Sequence, residues 1–190
     1  MIAAKKLDNY FTYADYCTWP DDERWELIDG VAYAMSPSPT RWHQSVSWKL
    51  AGQLYKFLEG KSYQAFHAPF DVRLNADGAD DTVVQPDILV VCDEKKLENG
   101  KGVVGAPDLI IEILSPSSAR HDSVTKLNLY MRSGVREYWI VNPDSKTVSV
   151  HTLRGDFGYI IRAYDENNTA VPVEVLDGCV INLAEVFEGV

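Results

Sequence analysis

The segment from Ala106 to Ser118, APDLIIEILSPSS, has the composition of a buried strand, and yet it carries a carboxylate near its centre. Side chains alternate between the two faces of a strand, so Asp108, Ile110 and Glu112 are predicted to share one face. An ionised carboxylate among apolar residues is costly unless it is paired or binds a metal ion. The segment therefore predicts a central strand in which Glu112 has a specific partner.

A second apolar run, QPDILVV (85–91), also begins with an acid. Its proline stands at the start of the predicted strand, where the missing N–H matters least. If the two strands are neighbours, Asp87 and Glu112 converge at one end of the sheet and form a site of hard oxygen ligands suited to Mg²⁺ or Mn²⁺. In the alternative interpretation, an acid at a strand start only binds a nearby turn. We prefer that interpretation for Asp108 and the functional one for Glu112.

The rest of the sequence predicts a mixed sheet with helices packed on it. Asp29-Gly30 separates two strand-like runs and indicates a hairpin, and residues 41–59 have apolar residues at helical spacing. AFHAPFDVRL (65–74) is predicted as one strand, VVQPDILVVCD (83–93) is typical of a central strand, and a helix is expected at about 119–133. VREYWIVNP and TVSVHTL (147–153) predict a third central strand and its antiparallel partner. This order favours the α/β class or a mixed α+β fold with extra β-hairpin elements.

Three further side chains are candidates for the same site. Lys126 follows Asp122 at the i,i+4 spacing of a solvated ion pair, but it also borders the apolar stripe of its helix and could reach Glu112. An ammonium there could position water or offset phosphate charge. His43 falls on the apolar face of the long helix, and Glu26 shares a strand face with Ile28. Both are candidates for supporting roles, and for both a purely structural role stays open.

Composition and motifs limit the function classes. The net charge of -10 argues against a protein that coats nucleic acid by charge alone. The N-terminal sequence has no apolar run typical of a signal peptide, and no run is long enough to span a bilayer, so we expect a cytoplasmic protein without membrane contact. The three cysteines are dispersed, and the phosphate-loop, HExxH and GxSxG motifs are absent from the sequence.

The sequence resembles a known family in a series of motifs. They are ELIDG, the helix that begins near His43, QPDILVV, PDLIIEILSPSS, the Asp122 and Lys126 pair, and GVREYWIVNP. The family is the bacterial "putative restriction endonuclease" family, also called Uma-two, a branch of the PD-(D/E)XK nuclease superfamily. The resemblance extends from about Glu23 to Val186. It implies a single restriction-endonuclease-like domain over 23–190, after an N-terminal lead-in of residues 1–22, with a mixed four-stranded sheet flanked by helices.

The resemblance also implies roles for individual residues. Asp87 and Glu112 would ligate Mg²⁺ or Mn²⁺ together with the backbone carbonyl of Ile113. The superfamily places a lysine two residues after the second acid, but this sequence has Leu114 there. Lys126, from the following helix, would take its place. Glu26 and His43 match recurring positions and would complete the metal or water shell.

The implied reaction is metal-assisted hydrolysis of a phosphodiester in nucleic acid, with DNA as the expected substrate and a homodimer as the expected assembly. Two alternatives stay open, namely a non-catalytic interaction module on the same fold and a metal-dependent hydrolase of a small phosphorylated molecule. Because the chain is acidic overall, we expect any basic surface to be local, built from Arg41, Lys49, Lys56, Arg120 and Arg132.

Overall fold

The structure, a computed structural model, describes residues 9–20, 22–35, 39–97, 100–115 and 121–190. The strands in this part of the chain are β1 (Trp25–Ile28), β2 (Val31–Ala34), β3 (Gln64–His67), β4 (Asp71–Arg73), β5 (Val83–Val84), β6 (Ile88–Val91), β7 (Gly102–Val104), β8 (Leu109–Ile113), β9 (Glu137–Asn142), β10 (Thr147–Leu153), β11 (Tyr159–Asp165), β12 (Val171–Pro172) and β13 (Val180–Ile181). The α-helices are α1 (Tyr13–Tyr16), α2 (Arg41–Leu58), α3 (Leu127–Arg132) and α4 (Leu183–Phe187). A π-helical segment, His121–Lys126, leads directly into α3. None of the helices in these ranges has the length and apolar character needed to cross a bilayer.

The larger sheet has six strands in the order β11-β10-β9-β8-β6-β3. β8 and β9 are parallel, and β6 and β8 are antiparallel neighbours near the centre. The sheet has two strands more than the four implied by the resemblance, because β11 extends one edge and β3 extends the other. The two acidic strands are therefore neighbours, which is the condition for Asp87 and Glu112 to converge, and the predicted mixed sheet is confirmed.

A second, five-stranded sheet has the order β2-β1-β5-β4-β7. Its β1–β2 hairpin turns at Asp29 and Gly30, with φ values of 51° and 73°, as the Asp-Gly pair predicts. The N-terminal segment is bonded to this sheet, because Phe11 N donates to Gly30 O and Tyr13 N donates to Asp80 O.

Two apolar cores lie on opposite faces of the larger sheet. Ile111 and Ile113 face α2, whose buried residues include Val46, Leu50 and Leu54. Ile110 belongs instead to the core that includes Tyr130 of α3 and Val72 of the smaller sheet. Alternation along β8 places Glu112 on the same face as Ile110. The central acid therefore points into the space between α3 and the smaller sheet.

Two segments predicted as single strands are each divided between the two sheets. AFHAPFDVRL forms β3 and β4, and VVQPDILVVCD forms β5 and β6. The prediction of continuous strands was wrong because Pro69 and Pro86 lack the N–H that a strand ladder needs, and the chain passes from one sheet to the other at each of them. The predicted helix at about 119–133 is π-helical before it becomes α-helical, and its residues 119 and 120 lie outside the described part.

Gly52 allows a test of the long helix, which closely matches its predicted bounds. It lies in the middle of α2, and nothing lies within 4 Å of the position where a Cβ would be added. We expect Gly52→Ala to raise the free energy of unfolding by about 0.5–1 kcal/mol, since alanine loses less backbone entropy in a helix. Urea denaturation measures the change. Gly102→Ala is the contrasting variant, because its Cβ would lie 2.5 Å from Asp71 O and should destabilise the protein. A destabilised Gly52→Ala protein would contradict this account of α2.

Candidate active site

The register between β6 and β8 brings the two predicted acids together. Ile88 pairs with Ile111, so continuing the register by one residue places Asp87 opposite Glu112. Opposite residues of an antiparallel pair lie on the same face and close together. Asp87 is anchored here because its Oδ2 accepts a hydrogen bond of 2.8 Å from Ile113 N. The sheet therefore places two carboxylates side by side at the end of β6.

The carbonyl of Ile113 faces the same point. The N–H and C=O of one strand residue point to the same side of the strand, and the Ile113 N–H points to Asp87. The continued register places Pro86 opposite Ile113, and proline has no N–H with which to bond that carbonyl. The Pro-Asp pair thus leaves a backbone oxygen free of the strand ladder beside the two carboxylates.

Lys126 joins the cluster from the other side. Its Nζ donates to Glu112 Oε1 at 2.9 Å and lies 2.8 Å from Glu26 Oε1 and 3.6 Å from Asp122 Oδ1. Lys126 is 3% exposed and Asp122 4%, so the spacing of these two residues does not mark a solvated surface pair. The π-helical segment that carries both residues is a geometry often found at functional sites.

Glu26 is held in its ionised form. Burial opposes its ionisation, but Lys126, His121 and the N–H of Gln85 outweigh burial and lower its pKa to about 2. The Gln85 N–H donates to Glu26 Oε1 at 3.1 Å, and His121 Nε2 lies 3.6 Å from Oε2. Glu26 therefore gives this site a permanent negative charge at neutral pH.

Glu112 has the opposite tendency, although it shares the same ammonium. Burial raises its pKa well above the usual range, the nearby carboxylates of Asp122, Asp87 and Glu26 raise it further, and Lys126 opposes the shift. Tyr130 donates a hydrogen bond of 2.8 Å to Glu112 Oε1. Burial and the adjacent Glu112 charge raise the tyrosine pKa, so its hydroxyl remains a donor. A further cation beside Glu112 would therefore favour the ionised form of this carboxylate.

Lys126 stays protonated. Burial disfavours its charge, but Glu112 and Glu26 outweigh burial and raise its pKa well above the usual value. An ammonium with a raised pKa cannot accept a proton from water near neutral pH. Its chemical contribution is therefore positive charge and the positioning of Glu112.

Two histidines touch the acids. His43 Nε2 lies 3.1 Å from Asp87 Oδ2, and its backbone N–H donates to the N-cap Thr40, which fixes it in the first turn of α2. His121, whose ring lies 4.9 Å from that of Tyr33, was missed by the sequence reasoning, and so was Tyr130. Tyr130 lies one helical turn after Lys126, but its place in the apolar stripe indicated only a core residue.

The oxygen atoms present suit a partly hydrated Mg²⁺ or Mn²⁺ ion better than a metal ion that needs three or more side-chain ligands. In the described ranges no group of three or more His, Cys, Asp or Glu side chains is arranged to hold an ion. Mg²⁺ retains several waters and commonly binds one or two carboxylates. No described residue donates a hydrogen bond to Asp87 Oδ1 or Glu112 Oε2. Two carboxylates and the Ile113 carbonyl therefore fit a partly hydrated divalent ion.

The other charged candidates have separate roles. Asp108 accepts hydrogen bonds from Cys92 N at 2.8 Å and Arg136 Nη1 at 3.0 Å, which agrees with the structural role predicted for it. Among the residues expected to form a basic surface, Arg132 pairs with Asp29, Lys49 donates to the carbonyl of Glu188, and Arg41 lies over the Trp42 ring. Arg120 lies outside the described residues. Lys56 lies in the last turn of α2. The local basic surface stays a prediction.

The mixed sheets flanked by helices place this chain in the α/β class, with a fold that a solved structure shares. The chain is similar to the crystal structure of "a putative nuclease belonging to DUF820" from Anabaena variabilis, with a TM-score of 0.75, 20% identity, and coverage of 94% of this chain and 98% of the other. It is also similar to the "Uncharacterized protein slr1290" of Synechocystis, at 24% identity over 158 residues, which are 81% of this chain and 80% of that protein. The profile of Uma2, described as "Putative restriction endonuclease", matches residues 13–184, and the chain belongs to this family.

Proposed function

We propose that the protein is a Mg²⁺-dependent endonuclease that hydrolyses phosphodiester bonds in DNA. The observation that carries the proposal is a pair of acids on adjacent strands, the half-buried Asp87 and the buried Glu112, in which Glu112 is bonded to the ammonium of Lys126 at 2.9 Å. Asp87, Glu112 and the Ile113 carbonyl would hold the ion. Family membership supports a nuclease, and the choice of ion and of DNA belongs to the proposal.

A bound Mg²⁺ would polarise the phosphate and lower the pKa of a bound water. The residues of the chain prepare the site for it. Ile113 N and His43 fix Asp87 through Oδ2, while Lys126 and Tyr130 fix Glu112 through Oε1. In both carboxylates the second oxygen accepts no hydrogen bond from the described residues and would bind the ion. Lys126 adds positive charge near the reaction centre, and Glu26 keeps that ammonium in place.

The non-catalytic alternative fits the structure less well. An inactive remnant has no reason to keep a lysine buried, and we would expect Lys126 to turn to solvent, but it is 3% exposed and bonded to two acids. A buried charge cluster is costly to maintain and is often replaceable by apolar residues without loss of stability. Its presence therefore favours a chemical role. We extend the proposal to a homodimer, since two sites could address the two strands of a duplex.

The test is nicking of supercoiled plasmid DNA with Mg²⁺ or Mn²⁺ and with EDTA, combined with isothermal titration of Mn²⁺. We expect metal-dependent nicking by the wild type, and loss of both nicking and high-affinity Mn²⁺ binding in Asp87→Asn. Asp108→Asn is the matched control, because it alters an acid near the start of the neighbouring strand that lies outside the cluster, and it should retain both. A wild type that binds no Mn²⁺ contradicts the proposal. Mn²⁺ binding without cleavage of any DNA contradicts the substrate assignment.

A further inference from the structure

We infer that the Lys126 ammonium occupies the place of a second metal ion, so that the site takes one divalent ion per chain. The inference rests on the proposed function and concerns how many ions the site accepts. It follows from the position of one side chain between carboxylates that come from different parts of the fold.

The first argument is geometric. The ammonium bridges Glu26 Oε1 at 2.8 Å and Glu112 Oε1 at 2.9 Å, and Glu26 belongs to the smaller sheet while Glu112 belongs to the larger one. In sites with two metal ions, each ion is likewise held by acids, and the two ions lie about 3.5–4 Å apart. A second ion placed between these two acids would need the same two oxygens that Lys126 already uses.

The second argument is the balance of charge. The cluster holds four carboxylates and a single ammonium, because those of Glu26, Glu112 and Asp122 contact Lys126 and that of Asp87 acts on Glu112. The ammonium and one divalent ion together offset three of the four negative charges. With Lys126 in place, the remaining negative charge attracts a second divalent ion only weakly. Removing Lys126 would take away the cation that Glu26, Glu112 and Asp122 share.

The third argument is that Lys126 is firmly held. Its π-helical segment is tied to the sheet because Tyr138 donates a hydrogen bond of 3.1 Å to Asp122 O. The following helix packs Leu129 and Tyr130 into the core. Displacing the ammonium would disrupt these contacts. The Lys126 side chain therefore acts as a permanent cation of the site.

The test is the number of Mn²⁺ ions bound per chain, measured by isothermal titration and by electron paramagnetic resonance of free Mn²⁺. We expect one ion for the wild type, two for Lys126→Ala, and one again for Glu26→Gln/Lys126→Ala, which lacks a carboxylate of the new site. Since Lys126→Ala is expected to be unstable without metal, its thermal unfolding is followed with EDTA and with Mn²⁺. The added Mn²⁺ should restore much of the lost melting temperature.

Each other outcome is decisive. Two ions in the wild type, or one ion in Lys126→Ala, would overturn the inference while leaving the proposed nuclease intact. A Lys126→Ala protein that remains unfolded even in Mn²⁺ would also overturn it, because an ion would then fail to replace the ammonium. No Mn²⁺ binding by the wild type would instead contradict the proposed function itself.

Discussion

Replacing Lys126 with methionine is expected to lower the free energy of unfolding by about 3–5 kcal/mol at pH 7 in EDTA. The substitution keeps the length and apolar stem of the side chain but removes the ammonium that contacts Glu26, Glu112 and Asp122. It leaves buried carboxylates without their counter-charge, which costs far more than the loss of an exposed pair. Urea denaturation monitored by tryptophan fluorescence measures the difference.

Lys146→Met is the matched control for this experiment. Lys146 pairs with Glu166 at 3.0 Å, but their side chains are 33% and 49% exposed, so the expected cost is below about 1 kcal/mol. The cost of Lys126→Met should also shrink toward pH 4, where the abandoned carboxylates take up protons. The double variant Glu26→Gln/Lys126→Met should recover part of the loss at pH 7. Equal and small effects of the two methionine variants would show that the buried cluster is not stabilised by Lys126.

The second large effect is expected for Glu112→Gln, which should stabilise the metal-free protein above pH 5 and abolish metal-dependent cleavage. The folded-state pKa of Glu112 is raised, so its contribution to stability is fully present below the unfolded value of 4.5 and is lost as the pH rises through the folded value. Between the unfolded and the folded pKa of Glu112, the free energy of unfolding of the wild type falls by about 1.4 kcal/mol per pH unit relative to that of Glu112→Gln. The amide mimics the protonated acid and does not titrate.

The pH dependence isolates Glu112 from the other acids of the cluster. Glu26 has a lowered pKa of about 2, so its contribution is lost only as the pH falls from 4.5 toward 2. The measurement is the difference in free energy of unfolding between the two proteins from pH 5 to 8 in EDTA. A difference that does not change with pH would refute the account of Glu112.

The functional half of the prediction separates stability from activity. Removing a residue that only hydrogen-bonds to a metal ligand typically lowers activity by roughly 10–100-fold. Removing a metal ligand itself should reduce plasmid nicking by more than that. Asp108→Asn should retain nicking, because Asp108 bonds Cys92 N and Arg136 rather than the cluster. A Glu112→Gln protein that is both stabilised and fully active would contradict the role proposed for this acid.

Local patterns account for much of the architecture. Helical spacing of apolar residues predicted α2 almost to its bounds, and Asp29-Gly30 predicted the first hairpin. The alternation in PDLIIEIL predicted the face on which Glu112 lies. These features depend on backbone preferences and burial within a few residues of chain, so the sequence displays them directly.

Some of the site could also be anticipated. A carboxylate in an apolar strand requires a partner whatever the fold, and that requirement singled out Glu112 and made the nearby Lys126 a candidate. The structure brings the two within 2.9 Å. Their roles in binding metal and cleaving DNA remain predictions.

The sequence by itself determined the main helices, the acidic strands and the need for a cation beside Glu112, because each follows from local periodicity or from the cost of burying charge. Only the tertiary structure decided that Pro86 and Asp87 connect two sheets, that Glu26 shares the ammonium of Lys126, and that His121 adjoins Glu26. The physical reason is separation along the chain. Glu26 and Lys126 meet only because two sheets pack together, and no local pattern of residues encodes a distance between segments a hundred residues apart.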